Sequence, residues 1–209
     1  SLEATGQMVS FSIVGPFTLR RARDHKYFLD THMSGKMFQM GYDGEVAWTA
    51  SGFFGDDAAQ RVRGADLVML VRETDFATPF FDYKEQGYEV KLVGEKEFEG
   101  QKGIAIEVKR KDGQSETWYL NPKSYLEIGR ESPGSDFGRP MPLRTFYDDF
   151  RVVGGVKIPF LVESQWYTRE RIFHVGEVKL NVETDEAQFK IPPPPGMGPY
   201  LSMAGDWAV

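Results

Sequence analysis

Cysteine is absent from the 209-residue chain, which removes disulfide scaffolds, thiol nucleophiles and cysteine-ligated metals together. Histidine is scarce, with only His25, His32 and His174, and no HExxH pair accompanies them. A zinc centre is therefore not expected, and these three read as ordinary structural or surface residues. The GxSxG elbow of hydrolases and the GxxxxGK[ST] loop of nucleotide-binding proteins are also missing. No run of about 18 apolar residues occurs, so no transmembrane helix is expected. No signal peptide is visible either. The chain opens with "SLEATGQMVSFSIVG", without Met and already close to a strand pattern, so a processed or trimmed start is expected. Positive charge is in deficit: 31 acidic against 25 basic residues leave a formal charge of −6. That balance offers no basic footprint for a nucleic-acid partner.

What is present is alternation. "QMVSFSIV" sends Val9, Phe11 and Ile13 to one face and Met8, Ser10 and Ser12 to the other. "KYFLDTHM", "MFQMGYDG" and "EVAWTAS" follow, the last two parted by the Asp43-Gly44 turn signal. His25 and His32 sit on what reads as one strand, where an odd spacing sends them to opposite faces. Five further strands are expected from Tyr88 to Thr168, punctuated by Gly100, Asp112-Gly113, Asn121-Pro122 and Gly154-Gly155. "RIFHVGEVKLNV" (171–182) supplies the last. Short strands at regular spacing form an antiparallel meander, open or partly closed into a barrel. A chain of this length buries about 70% of its unfolded surface and needs no disulfide or metal staple. Aromatics make up 14% of it, enough to fill a large core or to line an apolar cavity.

Between Gly55 and Gly87 the period shifts toward 3.6, with Leu67, Leu70 and Val71 on one helical face. Asp56-Asp57 reads as charge favouring a helix start. "TPFFDYKEQG" reads as a second helix, with Thr78 as N-cap, Pro79 at the first position and Gly87 as terminator. Helices inserted in a long meander make an α+β fold. The division expected is one domain over residues 1–190 and a Pro-rich tail over 191–209, "IPPPPGMGPYLSMAGDWAV", whose prolines cannot donate to a sheet.

The adjacent carboxylates Asp148 and Asp149 invite an acid/base reading. Neighbours in a strand point to opposite faces, so the two cannot act jointly on one atom. With Gly154-Gly155 as a two-residue turn, one side of the hairpin pairs Val153 with Val156, Asp149 with Phe160 and Tyr147 with Val162. It is mainly apolar. The other side pairs Phe150 with Pro159, Asp148 with Leu161 and Phe146 with Glu163, and is mixed. Either a covering element or an apolar concavity with a polar rim accounts for the mixed side. The aromatics of the helical region (Phe53, Phe54, Phe76, Phe80, Phe81, Tyr83) present the same alternatives, a docked core or a lid over a cavity. An enzyme would require a carboxylate such as Asp148 buried in a cleft beside a second titratable group.

The order of these signals resembles the outer-membrane lipoprotein-sorting superfamily, the LolA/LolB-like group. "GYDGEVAW" (Asp43, Gly44, Trp48) resembles the family's "DG…W" hairpin before the helices. The "DG…YYLD" meander corresponds to Asp112, Gly113, Trp118, Tyr119 and Leu120. The "DYR…dGv…P" hairpin corresponds to Asp149, Phe150, Arg151, Gly155 and Pro159, and the final "F..P" to Phe189 and Pro192. The series spans nearly all of residues 4–192. It implies a curved antiparallel sheet forming an unclosed β-barrel, with short helices packed in its mouth. It also implies a periplasmic, non-enzymatic protein without cofactor or metal, which binds a lipid or a lipoprotein acyl chain in an apolar cavity. The lining expected there is Trp48, Phe76, Phe80, Phe81, Phe146, Phe150, Phe160 and Trp166. The alternative is an interaction or scaffold module of the cell envelope, with an envelope protein as partner and a barrel filled by its own side chains.

Overall fold

In the computed structural model, which describes residues 1–53, 57–75, 78–81 and 83–194, the alternation becomes one antiparallel sheet. The strands are β1 (Leu2–Ser10), β2 (Ile13–Ala22), β3 (Lys26–Met33), β4 (Lys36–Tyr42), β5 (Ala47–Ser51) and β6 (Gln60–Arg61), then β7 (Glu89–Phe98), β8 (Gln101–Lys109) and β9 (Ser115–Leu120), and finally β10 (Glu127–Asp136), β11 (Arg139–Val153), β12 (Val156–Gln165) and β13 (Glu170–Leu180). Their spatial order, β6-β5-β4-β3-β2-β1-β13-β12-β11-β10-β9-β8-β7, is two meanders joined by the pairing of β1 with β13. Edge strands β6 and β7 do not pair with each other, so the sheet stays unclosed. One α-helix, α1 (Gly64–Glu73), and one 3-10 turn, Glu186–Phe189, complete the described elements.

Five expectations need correction. The single strand read in "QMVSFSIV" is a hairpin, because Phe11 and Ser12 both adopt positive φ (50° and 60°) and reverse the chain. No Gly or Asn marks this turn, and a two-residue turn preserves the alternation across it. For the same reason His25 lies in a turn (φ 59°), and only His32 is on β3. Six strands rather than five lie between Tyr88 and Thr168. The additional one, β10, contains Gly129, Pro133 and Gly134, residues with little strand preference. Finally, the stretch read as a second helix forms turns over 79–81 and 83–87, closed by the Tyr88 amide on the Tyr83 carbonyl at 2.8 Å. Of the Asp56-Asp57 pair, Asp56 lies outside the described residues. Asp57 starts no helix; α1 begins at Gly64 with Asp66 in its first turn.

The sheet curls so that its faces have different jobs. The inner face carries the larger core, including Met8, Phe17, Tyr27, Leu29, Phe160, Phe173 and Val178. α1 lies inside against β10 and β11, with Leu67 and Leu70 in this core. The outer face has two local covers. Phe98, Tyr119, Ile128 and Phe146 form one cluster. In the other, the 3-10 turn lies over β3 and β4, and the Trp48 indole N–H donates to the Phe189 carbonyl at 2.9 Å. The indole lies over Gly41, its cross-strand partner, where any Cβ would overlap the ring. Gly41→Ala is therefore expected to destabilise the fold by about 1–3 kcal/mol, as overpacking does. Urea unfolding followed by tryptophan fluorescence measures this, and Trp48→Leu in the same chain should recover part of the loss.

Candidate functional site

Between the inner face and α1 lies a chamber of about 820 Å³. Leu2 and Ala4 from β1, Phe17 and Leu19 from β2, Ile158 and Val162 from β12, and Phe173, Val175, Val178 and Leu180 from β13 give it a continuous apolar wall. They converge because each belongs to the inward set of its strand. The register pairs Leu2 with Leu180, Ala4 with Val178 and Val162 with Phe173.

Toward one end the same register builds a polar belt. Ser10, Arg171, Ser164, Thr145, Arg130 and Trp118 stand side by side across β1, β13, β12, β11, β10 and β9. The last residue of α1, Glu73, reaches this belt, with its carboxylate 3.7 Å from Arg130 and 3.8 Å from Arg171. Burial alone would raise the Glu73 pKa, but Arg171, Arg130 and Arg21 together hold it below its ordinary 4.5. Arg130 lies over the Trp118 ring at 5.1 Å, and Arg171 over Phe173 at 5.1 Å. Tyr147, on the chamber wall, is pushed up to about 12 chiefly by burial, and stays a neutral donor.

A second set of ion pairs braces the first. Arg72 donates to the Pro133 carbonyl at 3.0 Å, to Asp112 at 3.1 Å and to Gln114 at 2.9 Å. Arg110 bridges Asp75 at 2.7 Å and Glu116 at 2.9 Å, and the Trp118 indole also donates to Glu116 at 2.9 Å. These guanidiniums are hydrogen-bonded, whereas Arg130 and Arg171 meet Glu73 only at ion-pair distance.

The residues expected to line a cavity are dispersed. Phe81 is 66% exposed and borders the chamber mouth. Phe80 packs edge-on against Trp118 with centroids 5.5 Å apart. Phe160 is an inner-face core residue with the Arg151 guanidinium 4.3 Å from its centroid. Trp166 is buried, donates to the Ser135 carbonyl at 2.8 Å and lies beneath Arg169. Trp48 is on the outer face under the 3-10 turn. Phe146 and Phe150 border a separate outer hollow of about 390 Å³ with Asp148 and Glu163. Phe76 lies outside the described residues. Asp148 is exposed, its carboxylate capping the Asp149 amide at 2.8 Å, and Asp149 pairs with Arg151 at 2.6 Å. The hairpin register is the expected one from Arg144↔Gln165 to Val153↔Val156. Asp149 alone breaks the strand conformation, with φ 52°.

Sequence reasoning missed Glu73, Arg130, Arg171 and Arg21. Arg171 was within reach, since "RIFHV" places Arg171, Phe173 and Val175 on one face. Glu73→Gln should cost about 3–5 kcal/mol, because it removes the carboxylate that both buried guanidiniums face. The folded carboxylate titrates below 4.5, so its contribution is complete above that pH and lost as pH falls through the lower folded value. Denaturant midpoints measured from pH 7 to pH 3 should show this acid-dependent step in the parent and a smaller one in the variant.

No family model matches the sequence, and no curated protein matches it. Solved structures do match the fold. A DUF1329 family protein from Desulfovibrio piger superposes with a TM-score of 0.55 at 11% identity, covering 90% of this chain and 88% of that one. A putative outer membrane lipoprotein-sorting protein domain from Vibrio parahaemolyticus gives 0.56 at 12% identity, with the same coverage of 90% and 88%. A LolA superfamily protein from Nitrosomonas europaea gives 0.56 at 11% identity, again covering 90% and 88%. At such identities the likeness is one of fold: the unclosed, curled sheet of this protein is similar to the fold of these solved structures, one of them a LolA superfamily protein.

Proposed function

We propose that this protein is a non-enzymatic carrier that binds a lipid, or the acyl chains of a lipoprotein, in its inner chamber, and that it works in the periplasm. The observation that carries this reading is the chamber itself: about 820 Å³ walled by aliphatic and aromatic side chains from four strands. Burying a CH₂ contributes about 0.8 kcal/mol, so a long acyl chain represents on the order of 10 kcal/mol that water-exposed transport would forfeit. A preformed apolar space meets that requirement. The fold neighbours described as lipoprotein-sorting proteins support the same reading.

The proposed wall is Leu2, Leu19, Val162, Val175, Val178 and Leu180, with Phe81 at the mouth. Residues 1–190 act as the binding domain; of the Pro-rich segment 191–209, residues 195–209 lie outside the described residues. An enzymatic role finds no support in Asp148, which is exposed on the outer face. A scaffold with a self-filled barrel is disfavoured by the open chamber.

Protein purified without detergent and examined by native mass spectrometry is expected to carry, or after delipidation to accept, a long-chain lipid. Val162→Trp places an indole in the chamber and should reduce occupancy at least fivefold while the circular dichroism spectrum stays unchanged. A delipidated, folded parent that accepts no chain would refute the carrier reading.

A further inference from the structure

Arg130 and Arg171 are 6% and 8% exposed, and both line the chamber. Their Nε atoms are buried without a hydrogen-bond partner, and so is the Thr145 hydroxyl that stands beside Arg130 on the neighbouring strand. Ser164, 3% exposed, stands between Thr145 and Arg171 in the same cross-strand row. Among the described residues the only anion close to both guanidiniums is Glu73, at 3.7 and 3.8 Å, too far to accept a hydrogen bond from either. One carboxylate thus faces two buried cations, with Arg21 adding a third positive field. Burying a guanidinium with its donors unmet is costly. A planar fork of N–H groups matches the oxygens of a carboxylate or phosphate.

The charge of the whole chamber points the same way. Arg21, Arg23, Arg72, Arg130, Lys157 and Arg171 line it, against Glu73, Asp75 and Glu127, an excess of three positive charges inside a protein whose net charge is −6. Next to the belt, on the same face, the rungs turn apolar. Phe173 and Val162 form the next rung, and beyond it the chamber is lined by Val175, Val178 and Leu180 of β13, with Ala4 and Leu2 paired to the last two, and by Ile158 and Val156 of β12.

We infer that the chamber selects amphiphiles with an anionic oxygen headgroup: the headgroup sits at the belt between Arg130 and Arg171, with the hydroxyls of Thr145 and Ser164 as further donors, and the hydrocarbon tail runs along the β12–β13 wall. This deepens the carrier reading and rests on it. It names what the cargo must present, a carboxylate or a phosphate, in addition to a chain.

The test uses the delipidated full chain and three probes of equal tail length: hexadecanoate, hexadecyl phosphate and hexadecanol, each at pH 8 below its micellar concentration or solubility limit. Binding is followed by native mass spectrometry and by competition against a fluorescent fatty acid. At least one anionic probe is expected to bind tenfold or more tightly than the alcohol, and the comparison between the two identifies the headgroup source. In Arg130→Gln/Arg171→Gln that preference, read as the ratio of anionic-probe to hexadecanol affinity within the same variant, should vanish, with the circular dichroism spectrum checking that the variant is folded. Arg130→Lys, which keeps the charge and loses the fork, should retain an intermediate preference. Equal binding of all three probes by the parent would overturn the headgroup site and leave the carrier reading standing. So would an anion preference that persists undiminished in the double variant. Failure of every probe to bind would remove both.

Discussion

A carboxylate held between two guanidiniums in a dry interior is the interaction on which the inside of this protein depends. A sheet of this many strands encloses more space than its own side chains fill, and α1 is the element that partly fills it. The helix contributes Leu67 and Leu70 to the core, but it ends in charge: Arg72 and Glu73 both point into the barrel. Such groups are tolerated in a low-dielectric interior only when paired. Arg72 finds the Pro133 carbonyl, Asp112 and Gln114, which fastens the helix terminus to β10 and to the β8–β9 connection. Glu73 finds β10 and β13 through Arg130 and Arg171. The helix is thereby fixed to both β10 and β13, which β11 and β12 separate in the sheet, by charges that hydrophobic collapse cannot absorb.

Much of the architecture was legible in the sequence because sheet physics is local. Alternation, Gly-rich turns and the 3.6 period around Leu67, Leu70 and Val71 gave strands and a helix in the right order, and the β11–β12 register followed from Gly154-Gly155 alone. The failures were local too. Phe11-Ser12 turns without a turn residue, and β10 runs through Gly and Pro, so composition hid one reversal and one strand. "TPFFDYKEQG" has the punctuation of a helix, yet Phe80 docks on Trp118 and the chain closes in turns instead.

The site was less legible for a different reason. Large aromatics are the obvious wall for a lipid cavity, yet in a curled sheet with both faces partly covered they serve either face. Trp48 seals the outer face beneath the Phe189 carbonyl, and Phe146 joins Phe98 and Tyr119 there. The chamber wall is instead mostly aliphatic. Its polar belt is assembled from six strands distant in sequence, with one residue contributed by each. No spacing within a single segment announces such a row. Only the successive pairings from β1 through β13, β12, β11 and β10 to β9 create it.

That seam between β1 and β13 has a kinetic consequence. Leu2 pairs with Leu180 and Ser10 with Arg171, so the two meanders can each form from neighbouring hairpins, but nothing joins them until the last strand is available. Pairing across so large a sequence separation is slow, because the chain's freedom is surrendered before the contact repays it. Until then both β1 and β13 are open edges of apolar, half-built sheets, the surfaces on which such chains aggregate. In the finished protein the exposed edges fall elsewhere: on the two-residue strand β6, and on β7, whose Glu89, Lys91, Glu95, Lys96 and Glu97 discourage further pairing. The chain thus passes through its most adhesive state late, just before the chamber acquires its second wall.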